Sequence, residues 1–500
     1  MALQREFKSA AALAICAVVL SATAFFFGNG LHPHWWLTWL APIPVLLVAF
    51  HGSARQGCLV AFFSFFLGSM TWWSYFQILE IPTIVRILAF VGPSLVFTLG
   101  VLLARLFLFR RKPWLSLVAL PATWVSFEYL MSLGRNGTAL NLSYSQMNFL
   151  SILQVASVTG IWGIEFAVLF FASAVAIAVV NRHQPGHLRF AVGSVAVLVA
   201  VLAFGGWRLS QPADGRQVTI GLASTDQRPL LAKDEADTQQ IVRAYSQAID
   251  QLAAEGAEIV LVPEKIGPVS NTSSGPTLDS FRQAAERNHV TTVVGVDQHD
   301  QPLKHNLAFV YGPDGNSLLV YEKHFMVPHW ENGYERGNQI ALFPTPHPDW
   351  GVVICKDLDF PSLSRQYSNH GARLIFAPAW DFVADDWLHG RMAVLRGVES
   401  GFAIARSAKQ GLMTISDSRG RILVEQHSGE SSPAKAIGTV TLRSGRTLYS
   451  RSGDWFAWLN LAGFVGLVVA RFVYRKPLAL LFQGIRKAVS PQDRTSLRRL

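Results

Sequence analysis

A carboxylate, an ammonium and a thiol each stand just after an apolar run in this chain. Glu264 follows Ile259–Val262, Lys323 follows Leu318–Tyr321, and Cys355 follows Val352–Ile354. Short β-branched runs bounded by polar residues read as buried strands. Open α/β sheets collect ligands at the carboxyl ends of their strands, so the three groups are expected to converge. The thiolate is the reactive form of cysteine; a nearby cation favours it and a carboxylate takes its proton. The ammonium would also steady the oxyanion that forms when a carbonyl is attacked. Each residue taken alone has a plainer reading. Free cysteines mostly fill buried space, and a Glu or Lys beyond a strand usually faces solvent. Cys355 is the sole cysteine outside the apolar segments, which excludes an intrachain disulfide within a soluble domain.

The elements that must carry these groups fall into two kinds. The chain has 500 residues, half of them hydrophobic and only 15% charged, a balance that points to membrane spans. Apolar segments lie near Ala10–Phe27, Trp35–Phe50, Cys58–Leu79, Ile84–Phe109, Trp114–Leu133, Gly160–Val180, Phe190–Trp207 and Trp455–Tyr474. Seven precede a long polar region and one follows it. Ala22-Thr23-Ala24 resembles a small-residue cleavage site, yet Phe25–Phe27 continue the apolar run, so the first segment reads as an uncleaved anchor.

The formal charge of +10 does not read as a nucleic-acid signal, because the basic residues collect beside the spans. Arg5, Lys8, Arg55, Arg105, Arg110, Arg111, Lys112, Arg182 and Arg189 mark one side, with Arg475, Lys476, Arg486 and Lys487 after the last span. Arg86, Arg135 and Arg208 mark the other. The bias places the N-terminus inside and the polar region outside. The expected organisation is a membrane domain of seven helices over 1–210, a catalytic domain over 211–450, an eighth span over 451–475 and a basic cytoplasmic tail over 476–500.

Within the polar region, Val218–Leu222, Thr291–Val296, Asn306–Tyr311, Ser317–Glu322, Leu374–Ala377 and Phe402–Ala405 read as further strands. Gly312-Pro313-Asp314-Gly315 is a hairpin turn. Ile241, Tyr245, Ile249 and Leu252 recur at helical spacing and stop before Gly256, and Leu278–Asn288 is a second helical stretch. The outer loop 134–159 holds Tyr144-Ser145-Gln146 and leads into Gly160-Ile161-Trp162-Gly163. Such side chains either anchor a helix end at the interface or shape a lipid entrance.

Val262-Pro263-Glu264, Tyr321-Glu322-Lys323-His324 and Ile354-Cys355 resemble, in that order, the Glu–Lys–Cys triad of the nitrilase, or carbon–nitrogen hydrolase, superfamily. The layout of leading spans, outer domain and final span is similar to its membrane branch, the apolipoprotein N-acyltransferases. Lys323–Glu331 resembles the lysine loop of that family, with Glu331 as its second glutamate. Ala379-Trp380, His389, Met392, Arg396 and Glu399 are similar to its post-cysteine loop and helix. Three places depart from the pattern: Lys356-Asp357 stand where tyrosine and glutamate are usual, Ala223-Ser224-Thr225-Asp226-Gln227 where Gln-Gly-Asn is usual after the first strand, and Ala377-Pro378 where Asn-Asp is usual.

The resemblance implies a multi-span α-helical membrane domain plus an α/β nitrilase-like (α-β-β-α) extracytoplasmic domain, at the outer face of a bacterial inner membrane. It implies Glu264, Lys323 and Cys355 as catalytic residues, supported by Glu331, Trp380 and the backbone N–H of Lys356 as an oxyanion donor. Acyl transfer from a phospholipid through a Cys355 thioester to the amine of a diacylglyceryl-cysteine apolipoprotein follows, without cofactor or metal. The alternatives are a membrane-tethered amidase or nitrilase using the same triad, and a non-catalytic scaffold. Neither metal-binding nor dinucleotide-binding motifs occur, and His183, His187, His324 and His329 read as loop or interfacial residues.

Overall fold

Apolar helices make up the first two hundred residues. The computed structural model describes residues 2–226, 235–270, 274–300, 303–430, 432–443 and 445–473; the basic tail 476–500 lies outside the described residues. The helices are α1 (Ala2–Gly28), α2 (Trp35–Leu40), α3 (Pro42–His51), α4 (Ala54–Gly68), α5 (Trp73–Ile78), α6 (Thr83–Phe109) and α7 (Pro113–Ser132). After them come α8 (Leu150–Leu153), α9 (Ala156–Thr159), α10 (Trp162–Val180) and α11 (His187–Ser210). Five stretches here are long and apolar enough to cross a membrane: Ala11–Gly28, Ala54–Ile78, α6, α10 and α11. The segment 35–51 breaks at Ala41, because Pro42 starts a new helix more readily than it continues one. Helix α7 carries Glu128 and several hydroxyl side chains, which dilute its apolar character.

The loop 134–159 is folded and, from Gly137 onward, largely buried. Asn141 caps its short 3-10 turn by accepting from the Ser143 N–H at 2.9 Å. Gln146 is fully buried and donates to Thr38 Oγ1 at 2.7 Å. The Tyr144 hydroxyl lies 2.8 Å from Thr138 Oγ1. Beneath it, the Asn141 amide bridges the buried carboxylates of Glu128 and Glu165, at 3.3 Å from each.

From Gln217 onward the chain folds as two sheets packed face to face between helix layers. Strands β1 (Gln217–Ser224), β2 (Ile259–Leu261), β3 (Pro268–Val269), β4 (Thr291–Asp300), β5 (Leu303–Tyr311) and β6 (Ser317–Glu322) belong to the first sheet. Strands β7 (Ala341–Leu342), β8 (Trp350–Val352), β9 (Leu374–Trp380), β10 (Ala403–Lys409), β11 (Leu412–Ser416) and β12 (Ile422–His427) form the second. The last strand, β13 (Ala434–Thr441), returns to the first sheet antiparallel to β1. Helices α12 (Glu235–Ala254) and α13 (Ser274–Asn288) cover the first sheet; α14 (Pro361–Asn369) and α15 (Asp386–Ser400) cover the second. Helix α16 (Leu448–Ser452) leads into α17 (Trp455–Val473), a sixth helix apolar enough to span.

The period-two pattern explains the packing. Val218, Ile220 and Leu222 of β1 face inward and meet Val352, Leu374, Phe376 and Ala405 from the second sheet. Val260, Val262 and Val294 face the other way, onto Tyr245, Ile249 and Phe281 of the covering helices. This is the α-β-β-α sandwich. It agrees with the α-β-β-α expectation, and the candidate residues come from both sheets. Strand β8 ends at Val352, two residues earlier than the apolar run, and β11–β13 were not distinguished in the sequence. Strand β12 is exposed along most of its length, so it carries no burial pattern to detect.

Helix α15 seats the sandwich on the membrane-type helices. Leu388, Met392, Leu395 and Val398 pack with Trp72, Tyr75, Ile152 and Ile164. Buried polar contacts hold the same seam. The Ile161 N–H donates to Glu399 Oε1 at 2.6 Å, Arg396 pairs with Glu399 at 3.0 Å, and the Tyr75 hydroxyl donates to Asp385 Oδ2 at 2.7 Å.

Candidate active site

Glu264 and Lys323 meet at the carboxyl ends of β2 and β6 in the first sheet. Lys323 Nζ donates to Glu264 Oε1 at 2.8 Å and to the two oxygens of Glu331 at 3.1 and 2.9 Å. All three side chains are at most 5% exposed. An ammonium buried that deeply would normally shed its proton. Burial is the largest influence on Lys323 and pulls its pKa down, but Glu264 and Glu331 outweigh it and hold it well above the usual lysine value. Glu331 is the counterpart. Burial raises it, yet the ammonium groups of Lys323 and Lys265 bring it down to about 2.

Two residues not singled out in the sequence complete this cluster. Asn306 on β5 donates to Glu264 Oε1 at 2.5 Å and to Glu331 Oε1 at 2.8 Å, so one amide fixes both carboxylates. A polar residue within the apolar run Asn306–Tyr311 was the available signal. Lys265 pairs with Glu331 Oε1 at 2.7 Å. Glu331 itself is anchored by the Val327 N–H at 2.8 Å, which folds the lysine loop back on its own carboxylate.

Cys355 arrives from the second sheet. It opens a short 3-10 helix, Cys355–Asp359, with a φ of +43°, a conformation that costs a non-glycine residue energy. Its Sγ lies 3.6 Å from the Trp380 carbonyl oxygen. Burial, then the negative charge of Glu264, push the thiol well above its ordinary pKa, while Lys323 pulls the other way. Burial thus favours the protonated form of the Cys355 thiol. The N–H of Lys356 sits in the first turn of that helix, where backbone donors have no partner within the helix.

The remaining expected residues have defined places. The Lys356 ammonium pairs with Asp359 Oδ2 at 2.8 Å. Asp357 is fully buried and takes four donors from both sides of the elbow. Trp380 contributes its carbonyl to the thiol; its indole N–H donates to Gln410 Oε1 at 2.9 Å, and Lys409 Nζ lies 3.7 Å from the ring centroid. Burial lowers the Lys409 pKa to about 7. His324 Nε2 is 3.1 Å from the Gln339 carbonyl oxygen, at the surface.

Among the described residues, Asp381, Asp385 and His389 are close enough to hold a metal ion. Protein donors already occupy them. Arg406 makes a bidentate pair with Asp381, whose Oδ1 also lies 3.2 Å from His389 Nδ1. Asp385 accepts from Tyr75 and from the Phe382 N–H. The set reads as a charge-balanced internal network.

Residues 9–174 match the apolipoprotein N-acyltransferase N-terminal domain, and residues 220–445 match the carbon-nitrogen hydrolase domain. Together with the sandwich and its Glu, Lys and Cys cluster, they define an enzyme of the carbon–nitrogen hydrolase class. The chain belongs to the apolipoprotein N-acyltransferase family, the membrane branch of that class. It is 26% identical over 397 residues to an apolipoprotein N-acyltransferase of Geobacter metallireducens, covering 72% of this chain and 74% of that protein. An apolipoprotein N-acyltransferase of Bradyrhizobium diazoefficiens is 25% identical over 454 residues, 81% of each chain. Among solved structures, an amidase from Nesterenkonia sp. aligns over 49% of this chain and 97% of its own, with a TM-score of 0.41 and 19% identity.

Proposed function

We propose that the enzyme moves a fatty acyl chain from a phospholipid to the N-terminal amine of a diacylglyceryl-cysteine apolipoprotein, through a thioester on Cys355. Glu264 takes the Sγ proton as sulfur attacks the ester carbonyl carbon. Lys323 and the Lys356 N–H receive the oxyanion. The C–O bond breaks, the proton passes to the departing oxygen, and a lysophospholipid leaves. The acceptor amine then attacks the thioester; Glu264 takes a proton from nitrogen and returns it to Sγ as the C–S bond breaks. Glu331 and Asn306 hold Lys323 and Glu264 in position throughout.

The observation that carries this reading is the junction of a buried Glu264–Lys323 pair with a strained cysteine elbow, on a domain of apolar helices. Both substrates are anchored in lipid. Moving a roughly 16-carbon chain into water would cost over ~10 kcal/mol at about 0.8 kcal/mol per CH₂, so a membrane-level site suits the reaction. The bias of basic residues beside the apolar segments supports a catalytic domain on the outer face and a tail inside. No cofactor is assigned to the chemistry. Mass spectrometry of the full-length protein after incubation with phospholipid is the test. An acyl adduct on Cys355 that an apolipoprotein amine discharges supports the assignment. Amide hydrolysis without any adduct would transfer it to the amidase alternative.

A further inference from the structure

A second basic site lies away from the triad, where the sandwich meets α11 and α17. The ends of α14 and α15 and the chain leaving β13 enclose a cleft of about 450 Å³, lined among others by His370, Arg373, Arg443, Arg446 and Arg451. None of its lining residues is acidic. The arginines have structural tasks that leave most of their donors available. Arg443 donates to the carbonyls of Gln211, at 2.9 Å, and Pro212; Arg446 donates to the Asn369 carbonyl at 3.4 Å. The nearest carboxylate to Arg373 is Asp349, at 3.7 Å. Each guanidinium carries five N–H donors in a planar fork suited to phosphate oxygens.

The position of the cleft in the fold narrows the ligand. Gln211 and Pro212 directly follow α11, and Arg451 stands four residues before α17; both helices are long enough and apolar enough to cross a bilayer. The arginines therefore sit at the level where the two helices leave the apolar layer, beside the exposed side chain of Leu448. They also stand opposite the basic flanks, which are Arg182 and Arg189 at the other end of α11 and Arg471 at the other end of α17, so the charge bias of membrane insertion does not account for them. Helix α14 begins just after the cysteine elbow and ends at the cleft; its nine residues separate the two by roughly 14 Å.

We infer that this cleft binds the phosphate of an anionic membrane phospholipid, separately from the acyl-transfer site. The inference rests on α11 and α17 being spans and is independent of the thioester chemistry. The test uses the full-length protein equilibrated with bilayers of equal phosphatidylglycerol and phosphatidylcholine, followed by native mass spectrometry of retained lipid. The wild type is expected to retain phosphatidylglycerol at least about fivefold over phosphatidylcholine. Arg446→Gln/Arg451→Gln should abolish that preference while thioester formation on Cys355 is unchanged. Arg451→Gln alone, at an exposed position, should reduce it in a protein whose thermal unfolding matches the wild type. Equal retention by wild type and double variant would overturn the site. Displacement of the lipid by millimolar inorganic phosphate would assign it to a soluble anion instead. Selective retention without any Cys355 adduct would leave this site standing and remove the acyl-transfer reading.

Discussion

The Tyr321 hydroxyl donates to Asp357 Oδ2 at 2.7 Å, joining the strand that delivers Lys323 to the turn that delivers Cys355. The same oxygen accepts from the Ile354 N–H at 3.0 Å, and Oδ1 accepts from the N–H groups of His324 and Phe325 at 3.1 and 2.9 Å. One carboxylate thus ties the lysine loop of the first sheet to the cysteine elbow of the second. Asp357, one of the two residues that depart from the family pattern after the cysteine, has a structural task that the sequence did not reveal.

Asp357→Asn leaves one acceptor oxygen for four donors. Stranding two buried donors at about 1–3 kcal/mol each should destabilise the protein by about 2–6 kcal/mol and slow thioester formation. Chemical unfolding in detergent measures the first, adduct formation the second. An unchanged midpoint with full activity would contradict the clamp.

Glu264→Gln should move two properties of Cys355 in opposite directions. Acylation falls by about 10²–10⁴-fold with the base removed. Alkylation of the thiol by iodoacetamide near neutral pH becomes faster, because the carboxylate is a main contributor to its raised pKa. Parallel adduct and alkylation rates across pH provide the check.

Tyr75→Phe removes the donor to Asp385 across the seam between the two domains. A hydrogen bond to a charged group contributes about 1.5–3 kcal/mol, so a loss of that order is expected. A double-mutant cycle with Asp385→Asn should show coupling between the two residues. Additive effects would show that the seam does not depend on this contact.

His389 makes stability depend on pH. Burial lowers its pKa, but Asp385 and Asp381 outweigh burial and raise it to about 9. Its stabilising contribution is therefore complete below the unfolded value near 6.5 and disappears as pH rises through about 9. Unfolding free energy should fall by up to about 3 kcal/mol over that window, and His389→Gln should flatten the profile.

Gly295→Ala tests how closely β4 approaches the base. A Cβ there would lie 2.5 Å from the Pro263 carbonyl oxygen and 2.6 Å from Glu264 Cα, inside any tolerable contact. The substitution should displace Glu264 and cut thioester formation by at least about tenfold, although residue 295 touches no substrate. Adduct kinetics beside a thermal melt separate misplacement of the base from global unfolding.

The apolar runs, the strand ends and the types of Glu264, Lys323 and Cys355 were legible in the sequence, because burial and period-two alternation are local properties. So were the apolar segments, six of which form helices long and apolar enough to span among the described residues. Of the partners of the triad, Glu331 was indicated by the resemblance and pairs with Lys323, but the others were not legible. Asn306 and Lys265 act through contacts between strands, and Asp357 acts across two sheets. No spacing along the chain encodes such distances. Tertiary structure alone showed which sheet carries each candidate group, Glu264 and Lys323 on the first and Cys355 on the second. It also buried the loop of Tyr144 and Gln146 beneath the sandwich, because side chains that looked interfacial found hydrogen-bond partners there. The sequence determined which groups are available for chemistry; packing of the two sheets on each other and on the helices decided which of them meet.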